Sequence, residues 1–167
     1  EAMADMIRAG MIRAAGVSNF SAGQMRRAHA ALVKRGLVLA SNQVKYSLLD
    51  RHIESNGVLD TARELGITII AYSPLEMGLL TGKFHKDPTL LQSRPWVRRI
   101  RLRPLVEKSR PLIAVLEETA AARGVSIPQV ALNWLVHFHG TTVVAIPGAS
   151  GAQQARESAG AMGFVLG

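Results

Sequence analysis

"IIAYSPLEMGLLTGKF", residues 69–84, begins as an apolar run and changes character at Tyr72. An apolar, β-branched start too short for a helix reads as a buried strand. Tyr72, Ser73 and Pro74 then present an aromatic, a hydroxyl and a backbone stop in succession. After them Gly78 and Gly82 punctuate a loop that closes on Lys83. A core strand that delivers polar groups at its end and hands over to a flexible, charged loop has the layout of a ligand-facing strand end.

Three further stretches read the same way: "IRAAGVSN" (12–19), "LVLASNQVKYS" (37–47) and "TTVVAIPGA" (141–149), with the first strand itself taken as 67–75. Amphipathic helix patterns lie between them at about 2–10, 22–35, 56–65, 109–123, 127–139 and 152–161. Ser21/Gln24, Ser126/Gln129 and Ser150/Gln153 each fit a capping box, and Pro128 falls in a first helical turn. Gly36, Gly66 and Gly124 stand where left-handed helix ends belong. Strand alternating with helix means parallel strands joined by crossovers. Ligands then sit at the C-terminal strand ends, in open sheets and in (β/α)8 barrels alike. No G-x-G-x-x-G follows the first strand, and "GLLTGKF" is one residue short of a P-loop, with Phe84 where Ser or Thr is needed. A barrel is therefore preferred. A closed one has eight strands and typically about 250 residues. Four strands in 167 residues predict a partial (β/α)8 TIM barrel, a single α/β domain over 1–167.

Composition sets the outer bounds. The chain is 48% hydrophobic and 19% charged, without Cys, which excludes disulfides and thiolate metal sites and favours a cytoplasmic home. No apolar run approaches the roughly 20 residues that span a bilayer, so no membrane partner is expected. The start "EAMADMIRAG" reads as an amphipathic helix lying mid-element, as in a piece of a longer protein. The net charge of +8 invites a nucleic-acid reading, but most of it is local. Arg94, Arg98, Arg99, Arg101, Arg103, Lys108 and Arg110 stand against Glu107 within 94–110, with little aromatic interleaving. That segment is expected to be a Pro-bracketed, phosphate-touching or solvated loop, mobile without ligand, and no nucleic acid is expected. His137 and His139 fall two apart in a helix pattern and make poor metal partners; no metal site is expected.

"GVSNFS", "SNQVKYSLLDR", "AYSPLEMGLLTGKF" and "VVAIPGASGAQQARES" together resemble the aldo-keto reductase superfamily, in its order and positions over nearly the whole chain. The match corresponds to the C-terminal half of that barrel, strands five to eight. The loop after the third strand is similar to the branch containing bacterial and plant aldo/keto reductases and potassium-channel β subunits. The resemblance implies an NAD(P)H-dependent oxidoreductase acting on a small-molecule carbonyl substrate. It implies that Tyr72 stacks on the nicotinamide, that Ser18, Asn19 and Gln43 read its carboxamide, and that Ser73, Pro74 and Leu75 line the pyrophosphate path. Gly78 lies in a loop that wraps over the cofactor, and Lys83 supplies charge to the phosphates. Ser150, Gln154, Glu157 and Ser158 belong to the adenosine end, with Arg94 as a further phosphate ligand. NADPH is the implied cofactor. NADH stays open, because many members carry Arg where this chain has Gln154. The family's Tyr, Lys, Asp and His catalytic group comes from the first four strands, so no catalytic residue is assigned here. The chain alone is expected to be inactive, and either a complementary N-terminal half or self-association is expected to complete it. The alternative is a non-catalytic half-barrel serving as a cofactor-binding or protein-interaction module.

Overall fold

A computed structural model describes residues 1–93 and 95–166. The elements run α1 (Ala2–Arg8), β1 (Ala15–Ser18), α2 (Ala22–Val33), β2 (Leu39–Lys45), α3 (Val58–Leu65) and β3 (Thr68–Tyr72). Then follow α4 (Lys83–Lys86), α5 (Thr89–Gln92), α6 (Trp96–Arg123), α7 (Ile127–His137), β4 (Val143–Ala145) and α8 (Ala152–Gly160). The strands form one sheet in the order β1-β2-β3-β4, every pair parallel. All four expected strands are present, and with helices alternating between them they make an α/β partial barrel.

Burial alternates along the strands with the period of two that a one-sided sheet requires. Asn42, Val44, Ile69 and Ala71 turn toward the helices and are fully covered, packing with Met25, Val58, Ala62 and Leu135. Ser41, Gln43, Lys45, Ile70 and Tyr72 line the opposite, half-open face. Because the strands are parallel, their C-terminal ends come out along one edge of the sheet, and everything polar that the sequence placed there comes out together.

The caps largely follow the expected chemistry. Ser21 and Gln24 close a reciprocal capping box on α2. At α7, Ser126 N–H donates to Gln129 Oε1 at 2.9 Å, with Pro128 in the first turn. Gly66 and Gly124 end α3 and α6 in the left-handed conformation. α8 differs by one residue. Its N-cap is Gly151, and the glutamine that folds back is Gln154 rather than Gln153, accepting from both the backbone N–H and the hydroxyl of Ser150.

The basic segment is the larger correction. It is not a loop: α6 runs through it from Trp96 for 28 residues, with Pro104 and Pro111 inside. Each proline removes one i→i−4 hydrogen bond. Against that, Leu102, Val106, Ser109, Ile113, Leu116 and Ala120 are all buried, recurring every three or four residues along one face. That face packs on Leu79, Leu80, Phe84 and Ile127, so tertiary burial holds the helix where local propensity does not. Likewise His139 lies beyond the end of α7, not within it. Among the described residues no helix is long and apolar enough to cross a membrane.

Candidate functional site

The turns that leave β1 and β3 are backbone-strained. Asn19 has φ 56° and Ser73 φ 53°, left-handed values that non-glycine residues seldom adopt. Such residues persist where surrounding contacts over-determine them, and they cluster at ligand sites. Around Asn19 the contacts are explicit. Its N–H donates to the Gln43 carbonyl at 2.8 Å, and its side-chain amide donates to Ser18 Oγ at 3.3 Å. Ser18 Oγ in turn donates to the Gln43 carbonyl at 3.1 Å, and Tyr72 Oη donates to Asn19 Oδ1 at 3.3 Å. The structure thus brings the expected Ser18, Asn19, Gln43 and Tyr72 into one polar cluster at the edge of the sheet. Asn42, which the sequence reading passed over, stabilises it from behind. Its buried amide accepts from Phe20 N–H at 3.3 Å and donates to the Phe20 carbonyl at 2.9 Å, latching the β1–α2 turn.

Beside this cluster a cleft of about 410 Å³ opens between the loop after β3 and the segment from β4 into α8. One wall carries Ser73, Pro74, Leu75, Gly78 and Lys83; the other carries Gln154, Glu157 and Ser158. Eight of the expected residues therefore meet in one space. Ser150 sits next to it, bonded to Gln154 as described. Arg94 lies outside the described residues. Met77, Thr81, Pro128, Ile146, Pro147 and Gly148 also line the cleft.

The loop wall is a run of left-handed residues: Glu76 (φ 44°), Met77 (φ 53°) and Gly78 (φ 92°). A Cβ on Gly78 would stand 2.8 Å from Lys83 Cε, so the lysine stem lies directly on that glycine. Thr81 tightens the bend, its hydroxyl donating to the Gly78 carbonyl at 2.8 Å. Glu76 is buried, with 4% exposure, and forms an ion pair with Lys45 at 2.7 Å; Lys45 also meets Asp50 at 3.1 Å. Burial works against the Lys45 charge, but its hydrogen bonds to Glu76 and Asp50 outweigh this and raise its pKa above the ordinary lysine value. No local pattern announces a pair between a strand-end lysine and a glutamate on the next loop; only the strand register brings them together.

Chemically, the assembly offers a flat aromatic with amide and hydroxyl groups at one end. Beyond it come a cationic, backbone-rich loop and then a helix start. Among the described residues no group of His, Asp or Glu is arranged to hold a metal ion.

The family model described as "Aldo/keto reductase family" matches residues 1–167. The chain is 37% identical over 166 residues to the chloroplastic pyridoxal reductase of Arabidopsis thaliana, covering 99% of this chain and 44% of that protein. It is 33% identical over 165 residues to the L-glyceraldehyde 3-phosphate reductase of Escherichia coli (strain K12), covering 96% and 47% respectively. A solved thermostable aldo-keto reductase, in complex with the inhibitor epalrestat, superposes with a TM-score of 0.71 at 32% identity, over 99% of this chain and 48% of that one. The chain thus spans about half the length of the relatives it matches.

Proposed function

Because the chain belongs to the aldo/keto reductase family, we propose that it forms the dinucleotide-holding C-terminal half, strands five to eight, of a barrel that reduces aldehydes or ketones. NADPH is the cofactor proposed, with NADH as the second choice, and the cytoplasm as the location. The observation that supports this reading best is the shared edge. The Tyr72–Asn19–Gln43 cluster and the cleft walls of residues 73–83 and 154–158 adjoin, as one elongated ligand would require.

The donor set fits a nicotinamide dinucleotide. A carboxamide needs both a donor and an acceptor, and the amides of Asn19 and Gln43 offer both. A pyrophosphate needs cationic and backbone N–H donors in a tight loop, and the Gly78–Lys83 turn has that composition. When bound, a dinucleotide would supply the hydride. Tyr72 would cover one face of its nicotinamide ring and leave the other open. Asn19 and Gln43 would orient the ring, Lys83 would neutralise phosphate charge, and Gln154, Glu157 and Ser158 would hold the distal end.

Fluorescence titration of the full chain with NADPH and NADH tests the reading. Saturable binding is expected, with Tyr72→Ala raising Kd roughly tenfold, the scale of one stacked ring. Lys83→Ala should also raise Kd and flatten its dependence on salt. Absence of saturable binding to both dinucleotides would remove the proposal.

A further inference from the structure

We propose that Glu76 is a positioning residue for the cleft: a carboxylate clasp, anchored on the neighbouring strand, that holds the left-handed run 76–78 and so sets Gly78 and Lys83 toward the ligand. The inference rests on the dinucleotide reading of that cleft and adds to it a residue with no contact to the ligand.

Three consecutive residues with positive φ make an improbable backbone, and only the third is glycine. Within the loop, the Glu76 N–H donates to the Ser73 carbonyl at 2.9 Å, the Gly78 and Leu80 N–H groups donate to the Leu75 carbonyl at 2.9 and 3.3 Å, and the Thr81 hydroxyl donates to the Gly78 carbonyl at 2.8 Å. These bonds close the turns locally; the Glu76 side chain adds a tie to the neighbouring strand. Glu76 Oε1 is 2.7 Å from Lys45 Nζ and accepts from Ser47 Oγ at 3.2 Å, and both partners belong to β2 or the turn that follows it. That turn is itself rigid. Ser47 is fully buried, its hydroxyl accepts from the N–H groups of Leu49 and Asp50, and Ser47 and Asp50 exchange backbone hydrogen bonds at 3.1 Å. Asp50 returns to Lys45 at 3.1 Å. The loop is therefore tied across to β2 through a buried carboxylate.

The geometry leaves little slack. Leu79 and Leu80, immediately after the run, are fully buried, while Met77 faces the cleft, 42% exposed. A change of hand at Glu76 would withdraw its carboxylate from Lys45 and swing Met77 and Gly78 relative to Lys83. A buried charge is tolerated only when paired, so releasing Glu76 would also leave Lys45 with a partner short. These restraints couple the shape of the cleft wall to a residue outside it.

The test compares wild type, Glu76→Ala, Glu76→Gln and the control Ile67→Ala, which opens the core at the N-terminal end of β3, the opposite end of that strand from the loop. Full chains are titrated with NADPH, and amide hydrogen exchange is followed without ligand. Glu76→Ala should raise Kd at least tenfold and release protection selectively in residues 75–83. Glu76→Gln, still able to accept from Lys45 and Ser47, should recover most of the affinity. Ile67→Ala should lower the thermal midpoint while leaving Kd within twofold. A Kd for Glu76→Ala within twofold of wild type, or loss of protection spread evenly over the chain, would overturn the clasp. If the wild-type chain binds no dinucleotide, the functional reading fails separately. The exchange pattern then decides by itself, local release supporting the clasp and uniform release overturning it.

Discussion

Arg63 Nη2 lies 2.8 Å from His139 Nδ1, and because a guanidinium can only donate, that ring nitrogen must accept. The His139 proton therefore sits on Nε2, which meets Tyr46 Oη at 2.5 Å, and the tyrosine donates onward to Glu54 Oε1 at 2.5 Å. Every member of this chain has a fixed direction. The Arg51 hydrogen bonds hold Glu54 well below the usual carboxylate range, at about 2, against the opposing effect of burial. Burial and the adjacent Arg63 push His139 below its ordinary value. Both shifts act in the same sense. The folded state resists protonation at each site, so their contribution is complete above about pH 6.5. It is lost in two stages on acidification: first as the unfolded histidine takes its proton below about 6.5, then as carboxylates titrate from about 4.5 down toward 2. Urea midpoints measured from pH 8 to 3 should fall in that sequence. His139→Gln should flatten the upper stage and Glu54→Gln the lower one; unchanged slopes in both variants would refute the assignment. At this scale Tyr72, Gln43 and Asn19 were legible, because a polar side chain ending an apolar strand is visible in one dimension. Tyr46 packs against Trp134 at 5.8 Å between centroids, as an aromatic in an apolar stretch should. Its polar partners are Glu54, in the turn after β2, and His139, beyond the end of α7, a convergence that only the fold creates.

At the scale of elements, α6 shows a helix held by its environment. Pro104 is exposed and lies within a helical stretch, so it contributes no packing and removes a hydrogen bond to the Ile100 carbonyl. Pro104→Ala restores that donor and substitutes the best helix former. The variant should be more stable by about 1 kcal/mol, less than the full interior-proline penalty of roughly 3 kcal/mol because the native helix has already relaxed around the residue. Calorimetry reads this directly; a lower midpoint would mean that the proline itself sets the helix direction. The buried series Leu102, Val106, Ser109, Ile113, Leu116 and Ala120 is helical in the sequence too. The prolines and the density of arginines hid its first half, because both are loop signals locally and neither reveals the apolar partner on α4 and the loop before it. The strands needed no such partner to be recognised. Apolar segments of strand length between capped helices have one economical arrangement, and the parallel register followed.

For the whole molecule, the open face of the sheet decides what the chain can do unaided. Val144 and Ile146 at the β4 edge are 44% and 47% exposed, and β1 forms the other edge of the four-stranded sheet. Apolar strand edges of this kind seek a partner, and we expect further β/α units of the family's barrel to supply it, with self-association as the outcome when they are withheld. The same face bears on the proposed chemistry. Hydride delivery to a carbonyl leaves an alkoxide that needs a proton, and a positioned general acid is typically worth ~10²–10⁴ in rate. Among the described residues, Tyr72 and Lys45 are candidate donors on that face. Tyr72 already donates to Asn19, and stacking is the role proposed for its ring; Lys45 is bound to Glu76 and Asp50. Tyr46, the other tyrosine, is fully buried on the helix side and committed to Glu54. The 167-residue chain should therefore bind dinucleotide yet oxidise NADPH at background rates with a reactive aldehyde such as 4-nitrobenzaldehyde. Co-expression with a polypeptide carrying the first four β/α units of a related reductase should restore turnover and, in the same preparation, convert self-associated material to a one-to-one complex. Turnover by the chain alone would require one of these committed groups to change partners during the reaction. Tyr72→Phe would identify it, because that substitution keeps the stacking surface and removes only the proton.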